Sequence, residues 1–274
     1  MTFSIVARQG DAYGVAVASK FLAVGAVVPD ARTGVGAVAT QSFARFAYRE
    51  ELLGRLAAGE QAEEALAAAT ALDEGRETRQ VGVVGIDSAA TFTGAECNPW
   101  AGGVAREDGD TAYAIQGNIL TGPEVVQEME RAWHESAGRP LAQRLHAALV
   151  AGDAAGGDSR GRQSAALYAV EPGSGYDGCG VLADLRVDDH ADPVTELGRL
   201  LAEWEMYFGK PEGVQPLDGE LADEVRGRLA RLGFDGDDVA TALADWAGNA
   251  NYEARLSPDG IDRRVLEALR AATD

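Results

Sequence analysis

Lysine is almost missing from this chain of 274 residues, where Lys20 and Lys210 are the only two. With 44 acidic against 24 basic side chains the formal net charge is −20. Such a surface disfavours non-specific binding to nucleic acid or to an anionic membrane, so neither is expected as a partner. The acids are scattered rather than gathered in a tail, a balance that suits a high-salt cytoplasm and a high-GC genome equally. Cysteine is just as scarce. Cys97 and Cys179 stand beside turn-forming residues and are too few for a disulfide framework, so buried free thiols in a reducing compartment are expected. Only three histidines occur, His134, His146 and His190, and there is no HxH, HExxH or CxxC pattern. No phosphate loop, no glycine fingerprint between a strand and a helix, and no GxSxG elbow is present; Gly173-Ser174-Gly175 reads as a turn. No metal and no cofactor is therefore expected. The chain lacks an apolar run long enough to span a bilayer and a basic-then-apolar leader, so a cytoplasmic location is the default.

What is present suffices for a large core, since 46% of residues are hydrophobic. Residues 3–8 and 12–21 read as strands around a Gln9-Gly10-Asp11 turn, and 34–41 as a third. Helical spacing follows in 47–58 and 61–72. Strands return at 79–86 and 90–93 across Asp87-Ser88, and again at 110–118. Helices are expected at 123–136 and 140–151, with Pro123 and Pro140 in their first turns. A Gly/Asp-rich loop over 152–161 precedes strands at 163–170 and 181–187 and a helix at 193–208. Paired strands alternating with paired helices argue for an α+β fold rather than a doubly wound parallel sheet, and a four-layer αββα sandwich fits the order.

The stretch 209–216, with Pro211, Gly213 and Pro216, reads as a linker. Beyond it, residues 217–274 hold three amphipathic patterns: Leu221, Val225, Leu229 and Leu232; then Val239, Leu243 and Trp246; then Ile261, Val265, Leu266 and Leu269. They imply a small all-α domain. The predicted organisation is thus an α+β domain over 1–208, the linker, and a three-helix domain.

Chemistry concentrates at the start of the chain. Thr2 opens a strand and follows an initiator methionine that a small second residue allows to be removed. Removal would place a free α-amine beside the Thr2 hydroxyl, a base and a nucleophile on one residue. The amine titrates at about 7.7–8.0, near working pH. Polar residues gather at other strand ends: Ser19-Lys20, Thr40-Gln41, Gln116-Gly117-Asn118, and the run from Gly156 to Ser164. Lys20 would lower the hydroxyl's pKa and keep the amine neutral. Asn118 or a glycine N–H would serve as oxyanion donor. Ser19, Gln41, Asp158, Arg160 and Gln163 would line the substrate side, Arg160 with the capacity to hold a carboxylate. Each of these polar residues is equally served by an ordinary loop or strand-end hydrogen bond.

Several of these segments together resemble one family. Residues 2–7, 14–21, 24–29, 36–41, 116–118, 156–166 and 184–190 look like the DUF1028 family over about residues 1–208. The resemblance implies the αββα scaffold of the N-terminal-nucleophile (Ntn) hydrolases, an amidohydrolase-like function with Thr2 at the nucleophile position, and maturation by methionine removal alone. In the proteasome-type hairpin an acid stands where this chain has Ser19 or Lys20, so a carboxylate partner is unaccounted for. Residues 217–270, through Gly233-Phe234, Ala244-Asp245-Trp246, Asn251-Tyr252-Glu253 and Ile261-Asp262, resemble a peptidoglycan-binding-like helical domain, for which a lid or oligomerisation role is as reasonable.

The leading expectation is a hydrolase of a small-molecule or peptide-like amide. Its rival is a non-catalytic binding or assembly protein on the same fold, and the small-residue strands lead to the expectation of a homo-oligomer. A third reading, a metal at Asp184, Asp188 and His190, competes with an ion-pair ladder through Arg186.

Overall fold

The computed structural model describes residues 2–274; the expected removal of Met1 concerns a residue outside them. Ten strands and eight α-helices follow in the order β1 Thr2–Gln9, β2 Ala12–Ser19, β3 Pro29–Arg32, β4 Gly36–Ser42, α1 Ala47–Ala57, α2 Ala62–Ala71, β5 Arg79–Val84, β6 Ala89–Thr93, β7 Gly102–Asp108, β8 Thr111–Asn118, α3 Glu124–Glu135, α4 Leu141–Ala154, β9 Ser164–Val170, β10 Val181–Val187 and α5 Pro193–Phe208. The helices α6 Gly219–Arg231, α7 Val239–Asn249 and α8 Arg263–Ala271 complete the chain. Two compact units result, one up to Leu201 and one from Ala202 to Asp274.

In the first unit every strand pairing is antiparallel. One sheet runs β10-β9-β2-β1-β8-β7 and the other β3-β4-β5-β6. Helices α3 and α4 pack on the first sheet, α1 and α2 on the second, and the sheets face each other. The α+β class and its four layers follow directly from the period-2 strands. Along β1, Val6 enters the core between the sheets, together with Val15 and Val17 of β2 and Ala37 and Ala39 of β4. The alternate residue Phe3 meets the helix layer instead. A Cβ at Gly152 of α4 would stand 2.7 Å from Met129 Cγ and 3.2 Å from Phe3 Cδ2, so glycine lets that helix close onto β1. On α3 the buried residues Val125, Val126, Met129 and Trp133 form one face.

Two strands escaped the sequence reading, and both are edges: β3 in one sheet and β7 in the other. Edge strands tolerate proline and charge. Pro29 is the first residue of β3, and Arg106, Glu107 and Asp108 end β7. The second strand also stops earlier than expected, at Ser19, and α4 runs on to Ala154. Both thiols are free, but against expectation Cys97 is only half-buried and Cys179 is exposed.

In the second unit, Val225 and Leu229 of α6, Leu243 and Trp246 of α7, and Val265, Leu266 and Leu269 of α8 share one apolar core. The helices fall where the three amphipathic patterns were expected, and the unit that holds them begins at Ala202, inside α5.

Candidate functional site

Central position in a sheet buries Thr2. It opens β1, pairs across to Asn118 of β8, and is 6% exposed. Its side chain lies on the face of β1 that looks at the other sheet, as do Ser4 and Val6. Its hydroxyl is 3.1 Å from that of Ser19, the last residue of β2. Both residues line a cavity of about 560 Å³ whose wall also includes Gln41, Asn118, Arg79 and Arg160. Two non-glycine residues on that wall have left-handed backbone, Ser42 with φ 65° and Ile119 with φ 53°. For a β-branched residue this is a costly conformation, held where β8 ends against the cavity.

Beneath the cavity lies a buried polar network between the sheets. Gln80 of β5 donates through Nε2 to the carbonyls of Gly117 at 2.8 Å and Gly102 at 3.3 Å and to the Thr93 hydroxyl at 2.9 Å. Carbonyls only accept, so the Gln80 amide has one orientation. Its Oε1 therefore accepts from Gln41 Nε2 at 2.8 Å and Asn118 Nδ2 at 2.9 Å. Gln41 Nε2 also points at the Thr2 carbonyl at 3.2 Å, while its Oε1 accepts from the Ser4 hydroxyl at 2.7 Å. Ser4 Oγ in turn accepts from Gln116 Nε2 at 2.6 Å. The Gln116 side chain occupies the space above Gly82, where any Cβ would collide with its carboxamide. This chain of donors and acceptors leaves one atom over. Asn118 Oδ1 is buried and has no hydrogen-bond partner among the described residues.

The expected site residues fall in different places around this network. Asn118 reaches the cavity wall, where one N–H of its Nδ2 goes to Gln80 and its Oδ1 is a buried acceptor with no partner among the described residues. Ser19, Gln41 and Arg160 line the cavity with Thr2 as anticipated. Lys20 does not: alternation turns Ser19 inward and Lys20 outward, where its ammonium donates to the Arg162 carbonyl at 3.3 Å in an exposed position. Gln163 likewise faces away, donating to Asp189 at 3.2 Å on the surface. Asp158 is a latch rather than a wall residue of this cavity. Its buried carboxylate accepts from the backbone N–H of Lys20 at 2.7 Å and of Arg160 at 2.9 Å, tying the 152–161 loop to the end of β2. Asp158 and Ser19 also border a second, smaller cavity of about 120 Å³.

Arg79, Gln80 and the rings of Phe43 and Phe46 were not anticipated. Arg79 is set by Asp73, which accepts its Nε at 3.0 Å, the Tyr48 hydroxyl at 2.8 Å and the Gly75 N–H at 2.9 Å. Burial pushes the Asp73 carboxyl up, but these three donors outweigh it and hold the group at about 2, below the ordinary 3.8. A lowered folded-state value stabilises above the unfolded pKa and loses that stabilisation as pH falls toward the folded one. Asp73→Asn should therefore cost about 1–3 kcal/mol at neutral pH. In urea unfolding followed from neutral pH to strong acid, the gap between wild type and variant should close between 3.8 and about 2.

The third reading of the sequence finds little support. Arg186 donates to Asp188 at 2.9 Å on an exposed face, and His190 Nδ1 accepts from the Asp192 N–H at 3.0 Å. Among the described residues no group of three or more His, Cys, Asp or Glu could hold a metal ion. No helix among them is long and apolar enough to cross a membrane.

Residues 2–197 match the family model described as "Family of unknown function (DUF1028)". The chain belongs to the DUF1028 family. The crystal structure of a DUF1028 protein from Silicibacter pomeroyi is similar at 28% identity and a TM-score of 0.66, over 81% of this chain and 92% of that one. Residues 207–269 match a model described as "Putative peptidoglycan binding domain". No functionally curated protein matches the chain. Family membership thus brings a fold without an activity, and function has to be argued from the cavity at Thr2.

Proposed function

We propose that this DUF1028 protein is an amidohydrolase of the N-terminal-nucleophile type, with Thr2 as nucleophile once Met1 has been removed. The observation behind it is the placement of Thr2: a hydroxyl at the end of a central strand, buried, opening on a cavity and 3.1 Å from a second hydroxyl. In this reading Thr2 Oγ attacks the amide carbonyl carbon. The Thr2 amine takes the hydroxyl proton, helped by Ser19, and returns it to the leaving nitrogen as the C–N bond breaks. Water then attacks the threonyl ester and releases the acid. The buried Asn118 Oδ1 is suited to accept an N–H of that amine and hold its lone pair toward the hydroxyl. Arg79 and Arg160 take the part first given to Lys20, since cations in the cavity favour the uncharged amine. No cofactor enters this chemistry.

The rival, a non-catalytic binding or assembly protein, draws on the exposed rings of Phe43 and Phe46, 64% and 54% accessible. Intact mass spectrometry with a threonine-directed β-lactone separates the two. The hydrolase reading expects loss of Met1 and one adduct that peptide mapping places on Thr2. Protein from its native host that retains Met1 and takes no adduct would refute it.

A further inference from the structure

The charge of the cavity is at odds with that of the chain. A protein of net charge −20 places Arg79 and Arg160 on the wall around Thr2 and, among the described residues, no aspartate or glutamate there. Wall residues that are neither charged nor polar are mostly apolar, among them Phe21, Val24, Val28, Phe43 and Phe46. Three of these rings remain open, with Phe21 51%, Phe43 64% and Phe46 54% accessible.

Each arginine stands beside an aspartate. Arg79 is 22% exposed and fixed by Asp73 and by the Phe43 carbonyl at 2.8 Å. Arg160 is 46% exposed and its ion pair with Asp158 is long, 3.3 Å from Nη2 and 3.4 Å from Nε. Asp158 already accepts two shorter backbone N–H bonds, at 2.7 and 2.9 Å. Both guanidiniums stand on the cavity wall, and each has the donor geometry that suits a carboxylate.

We infer that the ligand of this cavity is a carboxylate-bearing molecule with an aromatic or branched apolar body. The Arg160 and Arg79 side of the wall binds the carboxylate, and Phe21, Phe43 and Phe46 cover the apolar body. In the hydrolase reading, on which the inference builds, the substrate is an N-acyl amide or peptide-like amide with an anionic group near the scissile bond. Cationic amides are repelled. The binding itself needs no nucleophile, so it stands or falls apart from the chemistry at Thr2.

The test is titration of the full chain, by calorimetry and ligand-observed NMR, with phenylacetate, phenethyl alcohol and phenethylamine, which share one body and differ in charge. Phenylacetate should bind at least about tenfold more tightly than the alcohol, and the amine more weakly than either. The preference should shrink with added salt and disappear in Arg160→Gln and Arg160→Glu. Because Arg160 is half exposed, both variants should fold, and circular dichroism checks this. Thr2→Ala should keep the preference, whatever the lactone experiment says of Thr2. Equal affinity for the anion and the alcohol, no binding of phenylacetate, or a preference unchanged in Arg160→Glu each overturns the inference.

Discussion

Thr2→Ala should lower turnover of an amide substrate by at least about a thousandfold, the scale on which loss of a nucleophile acts. The variant keeps the α-amine, the arginines and the cavity, and removes one hydroxyl and one methyl. Its ground-state binding should therefore be close to that of wild type, so the loss falls on kcat rather than KM. Thr2→Ser restores a hydroxyl 3.1 Å from Ser19 in the parent geometry and should recover much of the rate. The side chain is 6% exposed, so Thr2→Ala also forfeits a buried contact, about 1–2 kcal/mol in equilibrium unfolding. That is too little to account for a thousandfold loss of rate in protein that remains folded. The decisive comparison is single-turnover acylation in the three proteins after Met1 removal. Equal acylation in Thr2→Ala and wild type would sink the nucleophile reading while leaving the anion preference of the cavity untouched.

The layers, and Thr2 as a candidate, were legible because both rest on local signals. The β2 strand carries a run of small apolar residues from Gly14 to Ala18, and α1 to α5 carry helical spacing. Thr2 could be put forward because the chemistry proposed for it depends only on where it stands in the chain. The details of the site were not legible, because they depend on alternation across strands that only register decides. Ser19 and Lys20 are neighbours in sequence, yet one is buried at 2% and the other is exposed. Gln163 and Ser164 divide in a milder way, Gln163 half-buried and Ser164 fully buried. Reading a polar strand end as a single cluster assigns both neighbours to the site, and a pleated strand admits only one. The glutamines were the signal that could have been used. Gln41, Gln80 and Gln116 each interrupt a strand of small apolar residues. A buried polar residue in such a run calls for partners, and here they are one another. What no pattern in one chain could supply is the direction of the amides, from which the acceptor role of Asn118 follows. Nor could it bring Arg79, which stands 77 positions after Thr2, to the same cavity.

Asp262→Ala should be the most damaging single change in the second unit, costing about 3–5 kcal/mol of its stability. Three tasks meet on this one carboxylate, which is 1% exposed as a residue. It caps α8, accepting the N–H of Arg264 at 2.8 Å and of Val265 at 3.0 Å. It fastens the loop between α5 and α6 by accepting the Glu212 N–H at 2.6 Å. It neutralises Arg255, whose Nη1 is 3.2 Å away and whose side chain is 3% exposed. Burial pushes the Asp262 carboxyl up, but the Glu212 and Val265 N–H groups, the Arg255 charge and the Arg264 N–H together hold it below the ordinary range. Alanine removes the charge and leaves Arg255 as an uncompensated buried cation, still donating to the carbonyls of Met206 at 3.0 Å and Lys210 at 3.2 Å. Breaking one side of a buried pair is far worse than removing both. The double variant Asp262→Ala with Arg255→Met should accordingly recover part of the loss, leaving mainly the cost of the cap and the loop anchor, about 1–2 kcal/mol. Peptide-resolved hydrogen exchange is the appropriate measurement, since it reads residues 202–274 separately from the layered unit. Protection in α6, α7 and α8 should fall together in Asp262→Ala. If only the first turn of α8 loses protection, the carboxylate is a helix cap and little more, and the central role given to the Arg255 pair is wrong.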